Sequence, residues 1–236
     1  MRTVGAVGAG AALVVLLSAN VAMAGILASD PNGIPEWQGV RLFQSTIPFP
    51  PALAVNVEFC VYAPAEQGQT SNFDLTFGAG ADPSEGSHYV YAYQIFNDLV
   101  PHPFPLMKDM ASRFTILLSG QDEEPANIGS IDGLGVNVTS SAFEPTPGPP
   151  NTAGWDFNPK VVYGEVSDVM FFTSPGGPEE DTGNVMGSGI FASVLDMPSP
   201  STAPEPVTLT LFALSAAYVC RRRRAGRRGI LLSQAN

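Results

Sequence analysis

Short runs in which apolar and polar residues alternate, each cut off by proline or glycine, recur through most of this chain and leave no room for long helices. Val55, Val57, Phe59 and Val61 share one side of an extended segment. Phe73, Leu75 and Phe77 share one side of another, bounded by Ser71-Asn72 and Gly78. Such alternation is the period of a half-buried strand, whereas a helix face repeats every three or four residues. Tyr89, Tyr91, Tyr93 and Ile95 alternate with Val90, Ala92, Gln94 and Phe96, so that strand is apolar on both sides and is predicted to be central. Further strands are predicted over 39–44, 113–118, 135–139, 160–166, 169–173 and 189–195. The punctuation comes from 24 glycines and 22 prolines, gathered in clusters such as Pro101-His102-Pro103, the segment 145–150 and Pro175-Gly176-Gly177-Pro178. Eight or nine short strands with such turns predict an all-β chain, an antiparallel β-sandwich or jelly-roll-like domain.

The two ends follow different rules. Met1-Arg2 is positive, residues 4–17 are apolar and uncharged, and Ala22-Met23-Ala24 sets small residues ahead of Gly25. That is the layout of a secretory signal peptide over 1–24, cut after Ala24, with Ala22 and Ala24 as the small residues of the cleavage site. At the other end Pro204-Glu205-Pro206 precedes an apolar run over 207–219, then Cys220, Arg221-Arg222-Arg223-Arg224 and Arg227-Arg228. At ~1.5 Å per residue the run makes about 20 Å of helix, short of the ~30 Å hydrocarbon core. Arginine side chains reach into the headgroup layer and lengthen the effective span. A short C-terminal transmembrane helix is therefore predicted, with its arginines on the cytoplasmic side. The expected order is a signal peptide 1–24, a β-sandwich ectodomain 25–195, a Pro/Ser stalk 196–203, a sorting segment 204–224 and a cytoplasmic tail 225–236.

The tripartite end, Pro204-Glu205-Pro206 with the 207–219 helix and the cluster Arg221, Arg222, Arg223 and Arg224, resembles the PEP-CTERM sorting signal of bacterial surface proteins. The likeness covers the end of the chain only, and residues 225–236 run on past the arginines, where that family usually stops. It implies an exosortase-type processing protease that cuts near the Pro-Glu-Pro. It also implies inner-membrane anchoring before the cut, and residence at the cell surface or in the extracellular matrix after it. The stretches beginning Tyr89-Val90-Tyr91 and Val169-Met170-Phe171, with Trp155-Asp156-Phe157, are similar to segments of PEP-CTERM proteins from Planctomycetes-like bacteria. That second likeness implies a shared β fold and no particular activity.

Trimming both ends changes the charge. Of 11 Lys and Arg, Arg2 and the six tail arginines go, leaving Arg41, Lys108, Arg113 and Lys160. Of 22 acids only Glu205 goes, leaving 21 against those four, a net charge near −17 where the whole chain carries −11. A body so acidic repels nucleic acid and anionic lipid, so no nucleic-acid partner is expected. It attracts divalent cations, yet the acids are scattered and no calcium-loop motif occurs. Asp122-Glu123-Glu124 and Glu179-Glu180-Asp181, in turn-like segments, are the densest clusters and the only calcium candidates. No other cofactor is expected. Cys60 is the single cysteine of the mature region, so an internal disulfide is unavailable there, and it reads as a strand residue.

Catalytic chemistry is harder to find. His88 opens the tyrosine-rich strand and His102 sits between prolines. No Gly-x-Ser-x-Gly elbow occurs, and Gly187-Ser188-Gly189 lacks its spacing. His88, His102 and Cys60 are too dispersed for a zinc site. Gly129, Gly133 and Gly135 read as turn glycines rather than a phosphate loop. Trp37, Trp155 and the tyrosines have faces that stack on sugars, but their setting places them in the core. No catalytic residue is predicted, and the chain is read as an exported, non-enzymatic surface or matrix protein. One alternative is a carbohydrate- or calcium-binding adhesin working in extracellular polysaccharide. The other is a secreted hydrolase, which would show as two carboxylates, or a histidine with an acid, converging in a cleft.

Overall fold

Ten strands and one short helix form the described part of the chain, residues 25–45, 53–97, 110–118, 125–144 and 151–201 of a computed structural model. The predicted signal peptide with Ala22 and Ala24 lies outside these residues, as do Asp122, Glu123 and Glu124. So do Pro204, Glu205, Pro206, the 207–219 run, Arg221 to Arg224 and the tail 225–236. Among the described residues no helix is long and apolar enough to cross a membrane, a statement that does not concern strands.

The strands make two five-stranded antiparallel sheets. The first has the order β1 (Gln38–Gln44), β2 (Ala54–Tyr62), β3 (Tyr89–Phe96), β8 (Val169–Ser174), β5 (Ala126–Ile131). The second has the order β10 (Phe191–Pro200), β9 (Pro178–Met186), β4 (Ala111–Leu118), β7 (Asn151–Val161), β6 (Val138–Glu144). β3 pairs with β8 and β4 with β7, the nested pairing of a long hairpin rolled across both sheets. β1 lies beside β10 and β5 beside β6, so the sandwich closes along both sides.

Alternation decides what faces inward. Val55, Val57 and Phe59 of β2 and Tyr91, Tyr93 and Ile95 of β3 meet Phe114, Ile116 and Trp155 of the second sheet, all buried. Tyr91 and Phe172 stack at 4.9 Å between ring centroids, and Trp155 stacks on Phe114 at 5.8 Å. The polar atoms of these rings are each given a carbonyl. Tyr91 Oη donates to Gly176 O at 2.7 Å, Tyr93 Oη to Pro198 O at 2.5 Å and Trp155 Nε1 to Gly129 O at 2.9 Å. Burying a large apolar side chain is worth about 1.5–3 kcal/mol, a gain that an unpaired buried hydroxyl would cancel. β3 occupies the centre of its sheet, as its two apolar sides require.

Four expectations are corrected. Phe73, Leu75 and Phe77 belong to a helix, α1 (Asn72–Phe77), and not to a strand. Ser71 caps it by accepting from Asp74 N at 3.0 Å, and Gly78 ends it with φ 104°, a conformation open to glycine. Phe73 and Phe77, four apart, then share a helix face with rings at 4.7 Å, while Leu75 turns to solvent. The strands read at 135–139 and 160–166 are displaced: β6 begins at Val138, and β7 ends at Val161. Gly129 lies inside β5 rather than in a turn, and its missing side chain leaves room for the Phe171 ring, whose Cζ is 3.2 Å from where a Cβ would be.

The fourth correction concerns the stalk read at 196–203, of which 202 and 203 lie outside the described residues. Residues 196–200 continue β10, and Pro198, Ser199 and Pro200 are buried against the sandwich. Ser199 Oγ donates to Leu117 O at 2.9 Å and Ser201 N to Gly177 O at 2.7 Å. β10 is an edge strand, where prolines that lack an N–H break no ladder. A bulge between Val194 and Met197, with Asp196 at φ 66°, resets the register so that Met197 faces the core.

Candidate ligand cleft and its acidic underlayer

The outer side of the first sheet carries a second, smaller core. Cys60 and Tyr62 of β2, Val90 and Ala92 of β3, and Val169 and Phe171 of β8 point away from the sandwich, yet they are buried. Leu27, in a 3-10 turn over Leu27–Ser29, and Phe73 of α1 cover them. The Tyr62 ring meets Phe73 edge-on at 5.2 Å.

Buried carboxylates fasten this cover. Asp30, Glu58, Asp82 and Asp168 are all nearly inaccessible. Asp30 Oδ2 accepts from Tyr62 Oη and Thr76 Oγ1, both at 2.7 Å, and its Oδ1 accepts from Asn32 N at 2.8 Å. The first two of those bonds tie the N-terminal segment to β2 and α1 at one point, and the third closes a local turn. Asp82 accepts from Ser84 N at 2.8 Å and Gly86 N at 3.2 Å, closing the loop that leads into β3. Asp168 Oδ1 accepts from Leu134 N at 2.9 Å and Gly135 N at 2.8 Å. Gly135 must be glycine, because a Cβ there would sit 2.3 Å from Val166 O. Glu58 accepts from Gly25 N, and from Ala28 N at 3.3 Å. Burial pushes the Glu58 carboxyl above the usual range, and the backbone donors at Gly25 and Ala28 partly oppose that shift. Burial likewise pushes the Cys60 thiol up to about 12, so it stays protonated and unreactive at neutral pH. The Tyr62 phenol is raised too, by burial first and by the neighbouring Cys60 and Asp30 after it.

A cleft of about 520 Å³ opens beside this layer, within the range of small-ligand sites. Gly25 and Ile26 form one wall, Thr76 and Phe77 at the end of α1 another, and Ile131, Asp132 and Leu134 after β5 a third. Gln94 and Phe96 of β3 form its base, with Val166 alongside. Most of that lining is apolar. The Gln94 amide is held by donating to Ser167 O at 2.9 Å, and Thr76 is held by Asp30 and by Asn32 Nδ2 at 3.0 Å. Asp132 is the one carboxylate in the lining, and no His, Ser or Cys joins it among the described residues. The cleft can therefore hold a small molecule with an apolar face. Among the described residues it does not bring two acids, or a histidine and an acid, to one point.

The remaining sequence candidates scatter. Glu179, Glu180 and Asp181 stand on β9 rather than in a turn. Neighbouring strand residues point to opposite sides, so the three carboxylates do not converge. Among the described residues no group of three His, Cys, Asp or Glu side chains is placed to share a metal ion. Cys60 is a buried strand residue as expected, and Trp155 is core. Trp37 packs against the same core from a 3-10 turn over Pro35–Trp37. His88 stands just before β3, with its Nδ1 buried and unpartnered. The buried acids were missed. Glu58 had a legible signal, an acid set in an otherwise apolar alternating strand, where burial requires partners from elsewhere in the chain. No known family profile, curated protein or solved structure matches the chain.

Proposed function

We propose that this is an exported, non-enzymatic protein of the cell surface or extracellular matrix, sorted through a PEP-CTERM and exosortase-type pathway. One observation carries the reading. An acidic β-sandwich whose last strand is tied down as far as Ser201 is followed, after two intervening residues, by Pro204-Glu205-Pro206, an apolar run and an arginine block. β10 is tied into the sandwich up to Ser201, so a cut near Pro-Glu-Pro would spare every described strand. The arginines and the apolar run would leave together, and the released body would keep its negative charge and its solubility. Cell fractionation with intact-mass measurement of the surface form tests this reading. A chain ending close to Glu205 is the expected result. A full-length chain in the cytosol refutes it.

The cleft favours a second reading, a glycan-binding surface module. Phe77 and Phe96 supply apolar faces and Asp132 supplies an acceptor at the rim. Chemical-shift titration with oligosaccharides from the surrounding polysaccharide tests it. Shifts at Phe96 and Leu134 are expected, and an unchanged spectrum at millimolar sugar dismisses it.

A further inference from the structure

The Glu58 carboxylate is buried at 1% exposure on the outer side of β2, and what it faces is the segment from Gly25 to Ala28. Its two oxygens accept from the backbone nitrogens of Gly25 and Ala28. Its cross-strand neighbours are Val40 on β1 and Gln94 on β3, which carry no charge. Among the described residues no lysine or arginine pairs with it, and both ion pairs found there use Arg113 on the other sheet. Holding a buried carboxylate on neutral donors alone is costly, and a positive charge placed at one of those donors would offset that cost.

We propose that the missing cation is the α-ammonium of Gly25, created when the leader is removed after Ala24, and that this ion pair locks the N-terminal segment and α1 onto the first sheet. The proposal rests on reading Gly25 as the first residue of the mature protein. The chemistry is ordinary peptide hydrolysis by a leader peptidase. Water adds across the Ala24–Gly25 bond, the hydroxyl goes to the Ala24 carbonyl carbon, and the C–N bond breaks. The released Gly25 amine takes the proton lost by the new Ala24 carboxylic acid. Before the cut, position 25 offers Glu58 one neutral N–H. After it, the same nitrogen offers three donors and a full positive charge, with no movement of the chain.

The geometry at position 25 supports this independently. A Cβ on Gly25 would lie 2.3 Å from Phe96 Cζ and 2.5 Å from Glu58 Oε2. Only glycine brings the nitrogen this near the carboxylate under the Phe96 ring. Leu27, two residues on, is buried in the outer core, and Ile34 N donates to Val61 O at 2.8 Å, so the segment is laid along β2 as a clamp. Gly25 and Ile26 also form a wall of the ligand cleft. The ion pair would thus hold that wall of the cleft as well as stabilise the layer.

The test uses the chain from Gly25 to Asn236 in mild detergent, released from an N-terminal fusion by a protease that leaves Gly25 first. It is compared with the same chain acetylated at Gly25, with a form extended by Ala24, and with Glu58→Gln. Acylation of the α-amine by an activated ester at neutral pH is followed by mass spectrometry. Pairing with Glu58 should slow it about tenfold against a peptide of the same first residues, one pKa unit of protection. Glu58→Gln should restore the peptide rate. Peptide-like reactivity in the Glu58 chain, or protection that survives Glu58→Gln, overturns the proposal. Should Glu58→Gln fail to fold, the acetylated and extended forms decide, since both keep Glu58. Amide exchange at Ala28 and across α1 should quicken in both, and equal exchange in all forms overturns the proposal. N-terminal sequencing of the exported protein reads the leader separately. A start at any residue other than Gly25 refutes the coupling to processing, while the acylation rates alone decide the pairing.

Discussion

The two cores of this molecule use opposite means to bury polar atoms. Between the sheets, Tyr91, Tyr93 and Trp155 place neutral hydroxyl and indole groups on neutral carbonyls. On the outer side of the first sheet, Asp30, Glu58, Asp82 and Asp168 place carboxylates on backbone N–H groups and hydroxyls. The first arrangement uses neutral groups throughout. The second is made of ionisable side chains, and it holds the chain's N-terminal segment and one side of the cleft. The inter-sheet core should therefore set global stability, and the outer layer should respond to pH, processing and ligand.

Removing the heart of the first core should have the largest effect. Trp155→Ala leaves a cavity among Tyr93, Phe114 and Phe172 and orphans Gly129 O. A loss of about 3–5 kcal/mol in urea unfolding is expected, and a loss below about 1 kcal/mol would show that this ring is not the keystone. Asp30→Ala should come next, at about 2–3 kcal/mol, because it strands the buried Tyr62 hydroxyl and takes one partner from the half-buried Thr76 hydroxyl. Here the pattern matters more than the size. Amide exchange should rise across α1 and the 3-10 turn while β3 and β4 stay protected. Uniform loss across both sheets would erase the distinction between the two cores.

The third effect depends on pH. The folded state raises the Glu58 carboxyl above its ordinary value, so its contribution is complete in acid and is lost as pH climbs through the raised value. A chain acetylated at Gly25 should lose stability from mildly acidic to neutral pH. A free α-ammonium raised by pairing behaves in the same sense at higher pH: its contribution is complete below about pH 8 and is lost beyond. The free and acetylated chains should therefore differ most near neutrality, by about 1.4 kcal/mol for one pKa unit, and converge at high pH. Parallel melting curves from pH 5 to 10 (roughly the span between these two titrations) would contradict this.

Smaller effects sharpen the boundary. Ser71→Ala removes the cap of α1 and should cost about 1 kcal/mol, read as faster exchange of α1 alone. On the far side of the second sheet, Arg113 reaches Glu144 at 2.5 Å and Asp156 at 3.1 Å, with the Glu144 side chain 49% exposed. Screening limits such a pair, and Arg113→Met should move thermal stability by less than about 1 kcal/mol. A larger loss would mean that the second sheet too depends on charge.

Much of the inter-sheet core was legible. The strands read at 55–61, 89–96 and 169–173 became β2, β3 and β8, because short extended runs with one or two apolar sides have few other ways to bury themselves. β9 was not legible. Pro178-Glu179-Glu180-Asp181 looks like a solvated turn, and of the two core-facing positions, Gly183 and Val185, the first is silent in hydropathy. Met197 Cγ lies 2.8 Å, and Phe43 Cζ 3.0 Å, from where a Gly183 Cβ would be, so the strand is filled by its neighbours' side chains. α1 failed for a different reason. Phe73, Leu75 and Phe77 fit both periods in a segment this short, and the Ser71 cap with the four-residue spacing of the two phenylalanines was the only local evidence against a strand.

The sequence by itself determined the class of fold and the acidity of the body. These depend on composition and on short-range order along the chain, which folding does not rearrange. Tertiary structure alone decided that Pro198 and Pro200 belong to the sandwich, that the outer side of the first sheet is a second core, and that Glu58 meets Gly25 across 33 residues. A buried charge is given meaning by whatever lies against it, and contacts between distant segments leave no periodic trace in the sequence.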